Sequence, residues 1–177
     1  TVTVHPSPVV AFSVADNCQL SNVAFSDQTT IASGSLNTWS WDFGDGQSSN
    51  QANPNHVYTN HGSFATSLTV VSDLGCVSQN TQNIIIHPKP DADFSFTEVC
   101  FGGVTDYTNL SDGFGSNIIS YQWDFNQSEG SSNLENPSFT YAAWGLKETE
   151  LVVTTEFGCE DTQIINALVD SLPIASF

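Results

Sequence analysis

The chain has 177 residues and lacks several residue types, each of which narrows what the protein can do. It contains only two basic residues, Lys89 and Lys147, against 19 acidic ones, so its formal net charge is −17 at pH 7. Without a basic patch to neutralise phosphate groups, it is not expected to bind nucleic acid. The negative charge repels it from anionic membrane surfaces and no apolar run is long enough to cross a bilayer, so we expect no membrane insertion.

Methionine is absent, and so is any long stretch with helical periodicity. Because the chain does not begin with an initiator methionine, we interpret it as a piece of a longer protein. A composition rich in Ser, Thr, Asn and Gly with few lysines is typical of a secreted β protein. The sequence shows no Ser-His-Asp order, no glycine-rich phosphate loop and no reactive Cys–His pair, so we expect no enzymatic activity.

An internal repeat is the strongest positive signal in the sequence. The stretch Trp39-Ser-Trp-Asp-Phe-Gly-Asp-Gly46 returns in altered form as Tyr121-Gln-Trp-Asp-Phe-Asn-Gln-Ser-Glu-Gly130. Residues before the Gly46 turn recur 82 positions later and residues after it recur 83 positions later, as in the pairs His5/His87, Cys18/Cys100, Trp41/Trp123, Tyr58/Tyr141 and Cys76/Cys159. This constant register predicts two domains, at residues 6–88 and 89–171.

The two ends of the chain match strands inside the repeats. Residues 1–5 align with Asn83–His87, which form the last strand of a repeat, and residues 173–177 align with Pro90–Phe94, which form the first. We therefore interpret residues 1–5 as the end of a preceding repeat and residues 172–177 as the start of a following one.

Each repeat shows the alternation of a β-sandwich. Trp39, Trp41 and Phe43 alternate with small polar residues, so three aromatic side chains face one side of a strand, and Gly44-Asp-Gly46 favours a tight turn after it. About seven such strands, with turns every 8–12 residues, predict an all-β chain of two tandem immunoglobulin-like sandwiches. The predicted strands are 9–14, 22–27, 39–43, 55–58, 64–72 and 76–86 in the first repeat, and 92–96, 105–109, 118–125, 139–141, 149–156 and 160–168 in the second.

In the first repeat Trp41-Asp-Phe-Gly-Asp-Gly46 is followed by Asn53-Pro-Asn-His-Val-Tyr58 and by Gly62-Ser-Phe64. This series of motifs resembles the PKD (polycystic kidney disease) domain. The signature positions are Trp41, Asp42, Phe43, Gly44, Asp45 and Gly46 in the first repeat, and Trp123, Asp124 and Phe125 in the second. The second repeat departs from the pattern, because Asn126-Gln-Ser-Glu-Gly130 replaces Gly-Asp-Gly and the histidine is missing.

The cysteine-containing form of the repeat resembles repeats in large exported surface proteins of gliding bacteria. That resemblance implies an extracellular, cell-surface location and a non-catalytic role as spacer repeats, in the stalk of an adhesin, with neighbouring repeats of the same chain as partners. The alternative is an accessory module of a secreted hydrolase, which would bind polysaccharide or a surface partner protein.

Four cysteines occupy matching places, two in each repeat, and indicate disulfides and an oxidising compartment. Bridges within repeats would join Cys18 to Cys76 and Cys100 to Cys159. In an immunoglobulin-like sandwich, however, the strands beside Cys18 and Cys76 run the same way, so these two residues are expected at opposite ends, roughly 30 Å apart. A bridge between repeats, Cys18 to Cys159, is the alternative, and Cys76 and Cys100 would then pair with repeats outside the chain.

The remaining polar candidates have mainly structural interpretations. Asp42 and Asp45 are expected to form the turn, and the retention of Asp42 as Asp124 favours a structural cap. Because some PKD domains bind calcium, the resemblance makes Asp91 and Asp93 candidate ligands for a structural calcium ion, although no dense carboxylate loop is present. The four histidines, His5, His56, His61 and His87, show no metal-ligand spacing and are expected to be solvated or packed in turns.

Trp144 stands apart from the core pattern. It lies in a turn where the first repeat has Asn60-His61, so it is not expected to be a core residue of both domains. An exposed tryptophan can pack against a neighbouring domain or partner, or stack on a sugar ring.

Overall fold

The computed structural model describes residues 5–127 and 129–172 and divides between His87 and Pro88 into two compact units, unit 1 and unit 2. Every regular element in the described ranges is a β-strand, and each unit is an immunoglobulin-like sandwich, which confirms the predicted fold class. Over these same ranges no helix could cross a membrane. The partial repeats predicted at 1–5 and 172–177 fall almost wholly outside the described residues.

Unit 1 places its longest strands in one sheet. A five-stranded sheet has the order β2-β9-β8-β5-β6, and the opposite layer consists of the pairs β1–β4 and β3–β7. The strands are β1 (Phe12–Ser13), β2 (Asn17–Cys18), β3 (Asn22–Ala24), β4 (Ser26–Asp27), β5 (Leu36–Asp42), β6 (Ser48–Ser49), β7 (Asn55–Val57), β8 (Gly62–Ser72) and β9 (Val77–His87).

Unit 2 repeats this plan with a more continuous second layer. Its five-stranded sheet has the order β11-β17-β16-β13-β14, and its other sheet has the order β10-β12-β15. The strands are β10 (Phe94–Phe96), β11 (Val99–Cys100), β12 (Thr105–Asn109), β13 (Ile118–Phe125), β14 (Gly130–Ser132), β15 (Ser138–Phe139), β16 (Gly145–Thr155) and β17 (Glu160–Asp170).

The alternation of the central strands places one aromatic cluster in the core of each unit. Trp41 in β5 is fully buried, and its ring meets the Phe12 ring edge-on at 5.1 Å between centroids. Trp123 in β13 contacts Phe94 in the same way at 5.0 Å. Because side chains alternate across a strand, residues at every second position of β8 and β16 complete these cores.

The predicted strands agree best with the structure where alternation is long. The bounds of β12 and β13 are those predicted at 105–109 and 118–125. Four short strands, β2, β6, β11 and β14, were not predicted. Of these, β2 and β11 each consist of two residues and pair in parallel with the last strand of their unit. Two residues carry no periodicity, so local pattern cannot reveal them.

Candidate functional site

The turn after β5 is built by the signature residues of unit 1. The Asp42 carboxylate accepts a hydrogen bond from the Gly44 N–H at 2.9 Å, and the Asp45 carboxylate accepts one from the Gln47 N–H at 3.0 Å. Gly44 has a φ of 80°, and a Cβ there would lie 2.7 Å from the backbone oxygen of Ala65. Only glycine fits this position, because the backbone is left-handed and the neighbouring strand is too close for a side chain.

Asp45 also contacts a histidine side chain, a pairing that sequence reasoning missed. Its second carboxylate oxygen lies 2.7 Å from His56 Nε2. His56 in β7 is only 8% exposed and its ring stacks on Phe43, with 4.1 Å between centroids and 4° between planes. The expectation of solvated or turn-packed histidines is therefore wrong for His56, which is buried in the aromatic core. The signal that could have found it is the Asp-Gly turn followed eleven residues later by a histidine between strand residues.

Buried hydroxyl groups lie next to this pair. The Tyr58 hydroxyl donates to the backbone oxygen of Phe43 at 3.0 Å and lies 3.1 Å from the Thr66 hydroxyl, which reaches the same backbone oxygen at 3.2 Å. Burial raises the pKa of Tyr58 above its ordinary value, and the nearby carboxylates of Asp45 and Asp42 raise it further, against the hydrogen bond from Thr66. The group therefore stays neutral and acts as a fixed hydrogen-bond donor that ties the turn to the core.

In unit 2, different residues hold the corresponding turn against the core. Glu129, in the longer turn after β13, accepts hydrogen bonds from the Ala142 N–H at 2.5 Å, from the Asn126 side chain at 2.8 Å and from Lys147 Nζ at 3.2 Å. Lys147 is buried, and its Nζ lies 5.4 Å from the centroid of the Tyr141 ring. The Ala142 N–H, followed by Asn126 and Lys147, lowers the pKa of Glu129 below its ordinary value, although burial acts in the opposite direction.

Aligning the two turns shows that a base and an aromatic ring have exchanged places. Phe139 takes the position of His56 and stacks on Phe125, with 4.4 Å between centroids. Lys147 takes the position of Phe64, whose ring packs against Tyr58 at 4.5 Å in unit 1. Each unit therefore has one ring stacked on the signature phenylalanine and one acid–base pair. The base is His56 in unit 1, where unit 2 has Phe139, and it is Lys147 in unit 2, where unit 1 has Phe64.

Neither pair belongs to a larger cluster of potential metal ligands in the described part of the chain. Within residues 5–127 and 129–172, no group of three or more His, Cys, Asp or Glu side chains could hold a metal ion. The calcium candidates make local bonds: the backbone of Asp91 pairs with Asp112, and the Asp93 carboxylate accepts from the Phe94 N–H at 2.8 Å. Calcium at Asp91 and Asp93 stays a prediction.

The cysteines of unit 1 lie at its two ends. We call the end at which the chain leaves a unit its outgoing pole and the opposite end its incoming pole. Cys18 in β2 is in register with His87, the last residue of β9, and so lies at the outgoing pole. Cys76 immediately precedes β9, at the incoming pole, with its Sγ 3.9 Å from the backbone oxygen of His5. The eleven residues of β9 separate the two cysteines by about 33 Å.

Unit 2 places its cysteines in the same way. Cys100 in β11 is in register with Asp170 at the outgoing pole, whereas Cys159 precedes β17 at the incoming pole. Cys18 and Cys159 are each disulfide-bonded, and Cys76 and Cys100 are free thiols. Neither of the bridges predicted within a repeat is therefore present, because each would need one of these thiols.

The segment that enters unit 2 is held by one carboxylate. Asp161 in β17 pairs with Lys89 Nζ and accepts a hydrogen bond from the Ala92 N–H at 2.9 Å. Burial acts to raise the pKa of Asp161, but the Ala92 N–H and Lys89 outweigh it and hold the pKa below its ordinary value. This carboxylate lies two residues after Cys159, so the incoming pole of unit 2 carries both the anchor and the cysteine.

Trp144 lies on the surface, as the sequence predicts for a residue outside the shared core. It is 66% exposed and directly precedes β16. Leu146 in β16 and Leu168 in β17 face each other across the strands and are also exposed. Sequence reasoning identified the tryptophan but not these two leucines, because strand register was needed to bring them together.

The exchange between His56 and Lys147 generates a test in unit 1. We expect His56→Phe to lower the free energy of unfolding by about 1–3 kcal/mol, because Asp45 loses its partner. Adding Phe64→Lys should recover part of that loss by supplying the base from the second position, as in unit 2. Urea unfolding of the full chain at pH 7 measures both effects. The exposed His61→Phe serves as control, with an expected change within about 0.5 kcal/mol. A double variant less stable than His56→Phe would contradict the exchange.

The lowered pKa of Glu129 predicts a pH dependence. Because the folded state holds this carboxylate ionised more strongly than the unfolded chain, its contribution is complete at pH values well above 4.5, the ordinary pKa, and is lost as the pH falls through the lower folded value. The stability difference between wild type and Glu129→Gln should therefore be largest near neutral pH and shrink in acid. Thermal melts between about pH 3 and pH 7 measure it, with the exposed Glu135→Gln as control. A difference that grows in acid would refute the assignment.

Part of the chain is similar in sequence to a known domain family and to several secreted proteins. Residues 4–86 match the model of the PKD domain. Collagenase ColA of Bacillus cereus is 34% identical over 73 residues, which cover 41% of this chain and 8% of the collagenase. Pre-pro-metalloprotease PrtV of Vibrio cholerae is 35% identical over 63 residues, 36% of this chain and 7% of the protease. The chain thus spans less than a tenth of either curated relative.

Two solved structures are similar to about half of this chain. The crystal structure of the PKD1 domain of Vibrio anguillarum Epp is 30% identical and covers 47% of this chain and 96% of that domain, with a TM-score of 0.44. The PKD1 domain of V. cholerae PrtV is 32% identical over 45% of this chain and 96% of that domain, with a TM-score of 0.42. Residues 4–86 therefore belong to the PKD domain family.

Proposed function

We propose that the chain is a pair of tandem PKD domains that serve as spacer repeats in a longer exported protein, within the stalk of an adhesin at the bacterial cell surface. The observation that carries the proposal is the placement of the cysteines, one at each pole of each unit. Disulfide-bonded cysteines fit an oxidising, extracellular location. Cysteines at both ends of a module are suited to linking modules in a row.

The connection between the units supports a spacer role. His87 ends β9 of unit 1, and Lys89 is already held by Asp161 of unit 2, so only Pro88 lies between two anchored residues. A proline fixes its own φ and restricts the residue before it, and Pro90 adds a second restraint. Such a linker has little slack and transmits a pull from one unit to the next.

A disulfide between Cys18 and Cys159 is part of this proposal. Cys18 lies beside His87, and Cys159 lies two residues before Asp161, which holds Lys89. Cys18 therefore lies at the pole from which the linker leaves unit 1, and Cys159 at the pole at which the linker enters unit 2. The proposed bridge requires their Cα atoms to lie within about 7 Å of each other. The bridge would add about 2–4 kcal/mol to stability by restricting the unfolded chain.

Pulling on single molecules tests the bridge and its mechanical role together. A Cys18–Cys159 bond keeps about 140 residues out of any extension between the two ends, which is roughly 490 Å of contour. We expect Cys159→Ser to lengthen the fully extended chain by this amount relative to oxidised wild type, and Cys76→Ser to leave the length unchanged. Equal contour lengths for wild type and Cys159→Ser would refute the bridge.

The relatives favour a second candidate function, an accessory binding module of a secreted hydrolase. The matched relatives are named as collagenases and a metalloprotease, in which this module is a small part. Trp144 with Leu146 presents an exposed ring beside an exposed aliphatic side chain, which can lie against a sugar ring or a partner protein. Insoluble polysaccharide, a protein of the cell surface and collagen are the ligands to compare.

Co-sedimentation with insoluble polysaccharides and with fibrillar collagen tests the binding role. If Trp144 is the contact, Trp144→Ala should weaken the apparent affinity about tenfold, as expected for an aromatic residue at the centre of a binding surface. Leu134→Ala is a matched control, because Leu134 is equally exposed at 67% in the same unit. Unchanged affinity of the Trp144 variant would reject this contact.

A further inference from the structure

Three side chains that can react with one another meet at the turn after β13. Lys147 Nζ and Asn126 Nδ2 both donate a hydrogen bond to the same oxygen of Glu129, Oε2, at 3.2 and 2.8 Å. The two nitrogen atoms are therefore no further apart than the sum of these two distances. An amine, a carboxamide and a carboxylate in contact are the groups that are needed to exchange one amide bond for another.

Lys147 has the surroundings of a nucleophile and not those of a surface charge. Its side chain is only 7% exposed, and its Nζ lies 5.4 Å from the centroid of the Tyr141 ring. Lysine is rarely buried to this extent, and unit 1 has Phe64 at the aligned position, so the core of the fold does not require a lysine there. Because water is largely excluded from the Lys147 amine, an amide formed by it is protected from hydrolysis.

Asn126 is likewise a side chain that the fold does not require. Its φ of 54° lies in the left-handed region, and unit 1 has Gly44, with a φ of 80°, at the aligned position. Asparagine tolerates this conformation better than most residues, although glycine adopts it at lower cost. The amine and the carboxamide are thus both present in unit 2 and both absent from the aligned positions of unit 1. Their joint replacement favours a joint role.

From this geometry we propose that Lys147 and Asn126 form an isopeptide bond, which joins Nζ of the lysine to Cγ of the asparagine within unit 2. Glu129 is the catalytic residue, because its Oε2 contacts both the attacking and the leaving nitrogen. The distances above are those of the side chains before the bond forms. The proposal concerns unit 2 alone, so it does not depend on the spacer role or on the cysteine bridge.

The reaction exchanges one amide nitrogen for another without oxidation or reduction. The Glu129 carboxylate, whose pKa is lowered chiefly by the Ala142 N–H, is ionised and removes a proton from the Lys147 ammonium group. The neutral amine attacks Cγ of Asn126, and the bond from Cγ to Nδ2 breaks. Nδ2 takes the proton held by Glu129 and one proton released by Nζ, and leaves as an ammonium ion. One carboxamide and one ammonium group thus become one secondary amide and one free ammonium ion.

The bond changes what holds unit 2 together. It links the turn after β13 to β16 and closes a covalent loop over residues 126–147. A segment inside a covalent loop cannot be drawn straight, so these residues stay out of any extension between the two ends of the unit. Thiol reagents do not break an amide, so this link persists under reducing conditions in which a disulfide is lost.

The mass of the intact, reduced full chain tests whether the bond forms. We expect wild type to be lighter than its sequence requires by one ammonia molecule, about 17 Da. Asn126→Gly, which suits the left-handed backbone, and Lys147→Met should both have the full mass of their sequences. Asn133→Ala, at an exposed asparagine of the same unit, is the control and should show the same loss as wild type. A wild-type mass equal to that of its sequence would overturn the proposal.

Trypsin locates the bond, because the chain offers this protease a single site. Its two basic residues are Lys89 and Lys147, and Lys89 is followed by Pro90, which blocks cleavage. A lysine whose Nζ is part of an amide carries no charge and is not recognised, so reduced and denatured wild type should stay whole. Asn126→Gly should be cut into residues 1–147 and 148–177. Complete cutting of wild type after Lys147 would reject the cross-link, whatever the mass of the chain.

The role of Glu129 is tested by removing its ability to take up a proton. Glu129→Gln keeps the shape of the side chain, and we expect its cross-linked fraction to fall at least tenfold. This fraction is measured as trypsin-resistant chain at equal times after expression, in the folded material from size-exclusion chromatography. Glu135→Gln, at an exposed position of the same unit, should match wild type. A Glu129→Gln yield equal to that of wild type would refute the catalytic role of Glu129.

Discussion

The buried tryptophan of the central strand is the constraint on which each unit depends. An indole N–H removed from water needs an acceptor, and Trp41 donates to the backbone oxygen of Gln51 while Trp123 donates to that of Leu134, each at 2.9 Å. Both acceptors lie in the segment after the turn, so the same bond fixes the core and the path of the chain beyond the signature motif. The turns themselves can then differ, since the tryptophan already determines where each must end.

The acid–base pairs beneath the turns show how much variation this frame permits. In unit 1 an aspartate and a histidine hold the turn against the core, and in unit 2 a longer turn brings Glu129 to Lys147. The ring that stacks on the signature phenylalanine is His56 in one case and Phe139 in the other. Both units therefore contain one ring stacked on the signature phenylalanine and one acid–base pair beneath the turn. Different residues can fill these two roles, because two neighbouring positions together supply the aromatic ring and the base.

Much of this fold could be predicted from the sequence, because long strands with one buried face carry a period of two. The all-β class and the bounds of β12 and β13 followed from it. The pair between Asp45 and His56 did not, since strand alternation says which face is buried but not which polar groups meet across the two layers. The two-residue strands β2 and β11 were missed because so short a segment has no period, and their existence depends on the edge of β9 or β17 to which they pair.

The short strands β2 and β11 also protect the sheet edges of the two units from pairing with a strand of another unit. An open sheet edge is a template for another strand, and the hazard grows when near-identical units are held at high local concentration, as in a multidomain chain that is still folding. β2 covers the outer edge of β9 next to the outgoing pole, and β11 covers the edge of β17 in the same way. The segment that carries each outgoing cysteine therefore also covers a sheet edge, which opposes edge-to-edge aggregation of the sandwiches.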